Sequence, residues 1–421
     1  MSLLPNDQTV VGNLTVAGNI VSFTNTVGTD AYGDLLTTSR TNVLDAHNTF
    51  GLTALRDTTT TSDDATVTKP FGAPEFELAV TAGAGGEATL RTKKRGKYVA
   101  GNSADVAIAF RIEGGSATFS AGQECAWGYF DDDDGYSFVY DDTGLNAVIT
   151  KGGVRTSTVN RVAFNGDQLD GTGPSGHTLD VTAGYMWKIS FSSGYNAVLF
   201  RIVLNDGFGN QVIQTVHRYV PVGETAVDRL SLPISVALRQ SSDAGAEARS
   251  AFVGERQYSM IGQVYGFATR TTCPYALSRT IFQTADFVPI LSVRRKTGWN
   301  GQVIRISSLD VVSNNECVFQ VRVLDDFTDL PGAVFGDVPD TVQNETALES
   351  DTSATAMTGG VVAFMGIVPF SSVTGRASTT VQHKEFDHPL EDDGQILTIA
   401  VKSTLVDTAR VSVILRLSEE W

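Results

Sequence analysis

Over most of the 421-residue chain, apolar residues fall at alternate positions in short runs, and turn residues interrupt the runs every several positions. That two-residue period is the mark of a strand with one buried face. Residues Ala104 to Ile112 alternate through their middle, as do Arg410 to Leu417 at their start. Between such runs lie Gly114-Gly115, Gly152-Gly153, Asn165-Gly166, Asn205-Asp206-Gly207 and Asp392-Asp393-Gly394, residues that accept positive φ in hairpin turns. The pattern predicts an all-β protein made of antiparallel sheets. Only the stretch 244–249 and a few turns in the 340s have any helical character, and neither sustains a helical period.

The opening has a different character. Gly12, Asn13 and Leu14 are echoed at a six-residue offset by Gly18, Asn19 and Ile20. Rungs this short cannot bury their own apolar face. They predict either stacking on the same strand of sister copies, through Val11, Leu14, Val16 and Ile20, or a hairpin with Gly-Asn turns. Four segments follow from this reading: a short β stalk or anchor over 1–36, a Thr/Ser/Asp-rich exposed connection over 37–69, and two β-sandwich, jelly-roll-like domains over 70–272 and 273–421. Strands of the second sandwich are expected at Phe287 to Val293, Gln302 to Val312, Cys317 to Leu324, Gly359 to Val368, Ile396 to Val401 and Arg410 to Leu417.

Composition narrows the function classes. Lys and Arg number 31 against 47 Asp and Glu, a net charge of −16, so no broad attraction to nucleic-acid phosphates or anionic lipid is expected. No apolar run approaches the length of a spanning helix, and the first residues lack the basic and apolar regions of a secretory signal, so no membrane insertion is expected. Cys125, Cys273 and Cys317 are odd in number and widely spaced, which suits core thiols better than a disulfide framework or a zinc site.

The opening Gly-Asn repeat resembles the stalk openings of phage tail-fibre and related virion fibre proteins. Three further stretches, Thr92 to Ser103, Trp127 to Phe138 and Phe164 to Asp180, resemble a β-sandwich module of structural proteins in large double-stranded DNA viruses and phages. The resemblance runs from about Tyr32 to the carboxyl end. It implies a virion location and a non-enzymatic role as a fibre, spike or vertex component. The partners it implies are sister copies in a homotrimer, other capsid or tail proteins, and a host-surface receptor or glycan. It supplies no motif of catalysis and no functional residue to transfer.

Candidate chemistry is sparse. Asp131 to Asp134 before Gly135 is the densest acidic run, and Asp131 and Asp133 are the candidate Ca²⁺ ligands; the run lacks EF-hand spacing, and an acidic hairpin turn is the competing reading. Apart from this Ca²⁺ candidate no cofactor is expected. Tyr129 and Tyr136, on either side of that run, are the aromatic pair proposed for glycan contact, alongside Trp127, Trp187, Tyr195 and Trp299 as core or stacking rings. The loop from Asp167 to Asp180 is rich in Gly and must be ordered by its own side chains, with Asp170 or Asp180 accepting from loop amides. It is either a wide connection or a binding loop. The five histidines, His47, His177, His217, His383 and His388, show no zinc spacing, and no nucleophile elbow or phosphate loop is present. Carboxylate pairs for glycoside cleavage are a matter of three-dimensional separation that spacing does not reveal. Arg91, Lys93, Lys94, Arg95 and Lys97, and again Arg294 to Lys296, form local basic patches suited to an acidic neighbouring subunit or to a solvated strand face. Three readings follow: a non-enzymatic virion component, a lectin-like carbohydrate-binding module, or a polysaccharide-degrading spike.

Overall fold

The structure, a computed structural model, describes residues 14–16, 19–21, 40–49, 51–83, 85–96, 98, 102–113, 119–205, 211–241, 247–261, 270–272, 275–282, 286–297, 303–338, 346–369, 377–382, 395–404 and 408–420. Among these the chain is all-β, with only two short 3-10 turns, Arg161–Ala163 and Phe327–Asp329. The segment 244–249 is no helix where it is described, since Arg249 opens the strand Arg249–Ile261.

Two sheets form the first sandwich. One runs in the order Val154–Asn160, Gly144–Lys151, Gly135–Asp141, Gln123–Phe130, Ile234–Gln240, Gly86–Thr92, Asp57–Asp63. The other runs Gln211–Tyr219, Val198–Asn205, Tyr185–Phe191, Ser103–Glu113, Arg249–Ile261, Phe76–Val80, Thr66–Thr68, with Arg40–Ala46 added onto Arg249–Ile261. Every ladder is antiparallel. Alternation along each strand decides which side chains enter the core. Val198, Phe200, Ile202 and Leu204 are buried while the residues between them are only half so. The inner faces meet in an aromatic layer, with Trp127 of the first sheet stacked on Phe110 at 4.1 Å and edge-to-face with Trp187 at 5.1 Å, both of the second. Ring pairs of this kind add to the area they bury.

The Thr/Ser/Asp-rich segment 37–69 is largely exposed where it is described, as expected, but it is built into the sheets rather than weakly structured. It supplies Arg40–Ala46, Asp57–Asp63 and Thr66–Thr68 to the first sandwich. Asp57–Asp63 pairs with Gly86–Thr92 along its whole length yet buries only Asp57, so its hydroxyl residues can stay exposed while the backbone ladder holds the strand. Its anchor is Asp57, buried and held at 2.7 Å by Nη2 of the equally buried Arg256 from the opposite sheet. Arg270–Thr272, at the end of the first expected domain, instead pairs with Ala409–Glu420 of the second.

The second sandwich pairs a sheet ordered Arg270–Thr272, Ala409–Glu420, Val303–Ser313, Ala377–Gln382, with Tyr275–Ile281 also on Ala409–Glu420, against one ordered Gly336–Asp337, Leu348–Asp351, Val288–Arg295, Ile396–Ser403, Cys317–Leu324, Val361–Val368. Phe319, Val321, Ile399, Val411 and Val413 lie in its core. Cys125 is buried in the first core and Cys317 in the second, both as free thiols, and burial raises the pKa of each. Cys273 lies outside the described residues.

The two rungs of the opening repeat pair with each other. Leu14–Val16 runs antiparallel to Asn19–Val21, with Leu14 opposite Val21 and Val16 opposite Asn19. This is the hairpin alternative, and it closes within one chain; Val11 lies outside the described residues.

Candidate functional site

The carboxylates of the acidic turn are paired with arginines of the same chain. Oδ1 of Asp131 accepts the backbone N–H groups of Asp133 at 3.0 Å and Asp134 at 2.9 Å, which closes the turn on itself. Its Oδ2 accepts from Arg95 Nη1 at 3.0 Å. Arg229 spans the turn, donating to Asp133 Oδ2 at 2.7 Å and to Asp134 Oδ2 at 3.1 Å. Arg91 forks onto Asp132, and that bond holds the Asp132 carboxyl below its ordinary pKa. The proposed Ca²⁺ ligands Asp131 and Asp133 are therefore charge-paired within the protein, and no cluster of metal-ligating side chains occurs among the described residues. Much of the basic patch likewise finds acids of its own chain. Arg294 donates to Glu349 at 2.8 Å and Lys296 lies 2.7 Å from Asp337.

Tyr129 and Tyr136 are not glycan contacts, because both are fully buried. They stand opposite each other in the hairpin register, so they share a face, and that face is the inner one. The Tyr129 hydroxyl donates to Leu230 O at 2.8 Å and accepts from Leu232 N at 2.9 Å. Burial pushes both phenols above the ordinary tyrosine pKa. Trp127 and Trp187 are core rings, Tyr195 is exposed, and Trp299 lies outside the described residues.

The loop from Asp167 to Asp180 does what its composition predicts, and more. Its base is laid on the edge strand Gln211–Tyr219, with Gly166 N donating to Val216 O at 3.1 Å and Asp167 N to Thr215 O at 3.2 Å. Asp167, fully buried, is the organising residue: Oδ1 accepts from Leu169 N at 2.8 Å and Oδ2 from Ser175 N at 2.7 Å. Bonds from backbone amides to a buried carboxylate each contribute about 1.5–3 kcal/mol. A Cβ at Gly173 would fall on that carboxylate, so glycine is required there. Above this base the loop folds into a miniature hairpin, Leu179 N donating to Leu169 O at 2.9 Å and Gly171 N to His177 O at 3.0 Å. Asp170 and Asp180 accept from the amides and hydroxyls of Thr172 and Thr182, which lowers the pKa of each.

The hairpin delivers His177 to the rim of the sandwich. There its Nε2 lies 3.0 Å from the Tyr185 hydroxyl, with the rings edge to face at 5.6 Å. Desolvation raises the Tyr185 phenol above its usual pKa, so it stays protonated as a hydrogen-bonding group. Three strand ends converge on the same spot, because Met186 pairs with Val203 and Asn205 with Gln211. The result is a cavity of about 250 Å³ between the ring pair, the aliphatic chains of Met186, Val203 and Leu204, and the amides of Asn205 and Gln211. Both amide residues are exposed, each able to donate and accept at once. The loop and His177 stood out in the sequence; Tyr185, Asn205 and Gln211 did not, and only strand register gathers them.

No protein-family model matches the chain, and no curated protein matches it. Among solved structures it is similar to peanut lectin with a nonameric peptide, 7% identical over 53% of this chain and 98% of that one, TM-score 0.33. It is similar also to lectin II from Ulex europaeus, 9% identical over 52% and 99%, TM-score 0.34. A third is arcelin-5, a lectin-like defense protein from Phaseolus vulgaris, 10% identical over 49% and 100%, TM-score 0.32. Likeness at this level transfers no residue and no ligand.

Proposed function

We propose that this protein is a non-catalytic carbohydrate-binding module, and that the rim cavity of the first sandwich takes a single sugar ring. The observation that carries this reading is a cavity lined by the His177–Tyr185 ring pair together with the exposed residues Asn205 and Gln211. A pyranose alternates C–H patches with hydroxyls that donate and accept. The ring edges and the Met186 and Val203 side chains suit the first, and amides suit the second. Among the described residues the cavity is lined by no carboxylate.

One small, open cavity binds weakly, which argues for several tethered copies. Display as a virion fibre, spike or vertex component, in a homotrimer, would supply them. Light scattering on the purified chain should then give three times the monomer mass, and a monomer overturns the trimer. For the sugar site the test is an array of defined glycans probed with the wild-type chain and with Asn205→Ala and Gln211→Ala. Both substitutions sit on exposed strand ends and should leave folding intact. Selective signals that fall at least tenfold in both variants are expected. An array with no hits, or hits indifferent to both changes, overturns the reading.

A further inference from the structure

A second cavity, of about 510 Å³, lies where the two sandwiches meet. Thr53, Thr58, Thr59 and Lys93 come from the first sandwich, Asp325 and Gln395 from the second. Thr58 and Thr59 sit on Asp57–Asp63, which is the edge of its sheet and pairs on one side only, so backbone donors and acceptors are available there beside the hydroxyls. Lys93 Nζ reaches Asp325 Oδ1 at 3.3 Å across the junction. The lysine side chain is only 10% exposed and the aspartate 67%, so the carboxylate end of the pair is wet and adaptable.

Charge decides the class of ligand. The other acid of the lining, Asp57, is held by Arg256 at 2.7 Å and Arg56 at 3.2 Å, and Asp325 is matched by Lys93. Among the described residues each acid of the floor thus has a basic partner, in a chain of net charge −16. A strong anion would meet the carboxylates of Asp57 and Asp325, and a strong cation would meet the Lys93 ammonium and two carboxylates already held by Lys93, Arg56 and Arg256. Among the described residues the lining has no aromatic ring to stack on an apolar ligand. What remains is hydroxyl, amide and backbone hydrogen bonding, with an ammonium and a carboxylate side by side to engage the oxygens of adjacent hydroxyls.

We propose that this junction is a second saccharide site, for a neutral oligosaccharide long enough to touch both sandwiches. The proposal rests on the carbohydrate-binding reading and extends it to a second, larger site. The test is calorimetric titration of the full chain with maltohexaose, mannohexaose, galactohexaose and chitohexaose. The variants are Gln211→Ala at the rim, and Asp325→Ala and Thr59→Trp at the junction, all at exposed positions. At least one hexaose should bind wild type at two equivalents. Asp325→Ala and Thr59→Trp should each remove one equivalent, or weaken it at least tenfold, and leave the rim equivalent unchanged. If Gln211→Ala abolishes all binding while the junction variants match wild type, the junction site is overturned and the rim site stands. If no hexaose binds wild type, both are overturned.

Discussion

His217 lies in the first core between aromatic neighbours, its ring 5.4 Å from Phe164 and 6.2 Å from Phe200, and its buried Nδ1 has no hydrogen-bond partner. Desolvation therefore lowers its pKa below that of a free imidazole. The unfolded chain binds the proton more readily than the folded one, so stability is full above the unfolded pKa, near 6.5, and is lost as pH falls through it toward the folded value. The melting temperature of wild type should fall between about pH 7.5 and pH 5. In His217→Gln that fall should be shallower, and equal slopes would refute the assignment. Arg229 gives a second prediction at this scale. Asp134 is only 2% exposed, and removing the guanidinium beside it leaves a buried carboxylate without its counter-charge. Arg229→Ala should cost roughly 2–4 kcal/mol in chemical denaturation. A chelator should leave the unfolding midpoint where it is; a drop on adding EDTA would restore the calcium reading of the turn. Parity explains what was visible of these residues beforehand. That Tyr129 and Tyr136 share a face follows from a hairpin through the acidic run, but which face is inner depends on Phe191 and Tyr258, far away in the sequence.

Most strands are legible at the level of elements, because alternating apolar residues leave no other economical burial. Cys317–Leu324 matches its expected bounds, and the neighbouring strands shift by a residue or two. The strand Asp57–Asp63 is illegible for a physical reason. Its hydroxyl residues match a loop in composition, and the bond that recruits it joins Asp57 to Arg256, a partner no local pattern reveals. The Asp167 loop was legible as a loop, but its buried carboxylate was not. Gly173→Ala would drive a methyl into that carboxylate, and it should both lower the melting temperature and weaken glycan binding at the rim, since His177 rides on the same hairpin. Val361–Val368 carries a different liability. It is a sheet edge without charge or proline, with Met365 53% and Ile367 58% exposed. Natural edges are usually blunted by such residues. Met365→Lys should reduce turbidity on heating concentrated protein while the melting temperature moves little.

The whole molecule is two sandwiches in series, each with its own core, joined across a polar junction at Lys93 and Asp325. Nothing in the spacing of those two residues announces the contact, because it belongs to the docking of domains rather than to either one. Among the described residues each core also holds one buried free thiol, Cys125 in the first and Cys317 in the second. With Cys273 replaced by serine, a thiol-specific reagent becomes a clock for each half separately. Modification of either sulfur must wait until its own sandwich opens, and peptide mapping of the tagged chain would order the two events in time. Simultaneous tagging would mean that the halves come apart as one unit; staggered tagging would show which of them lets go first.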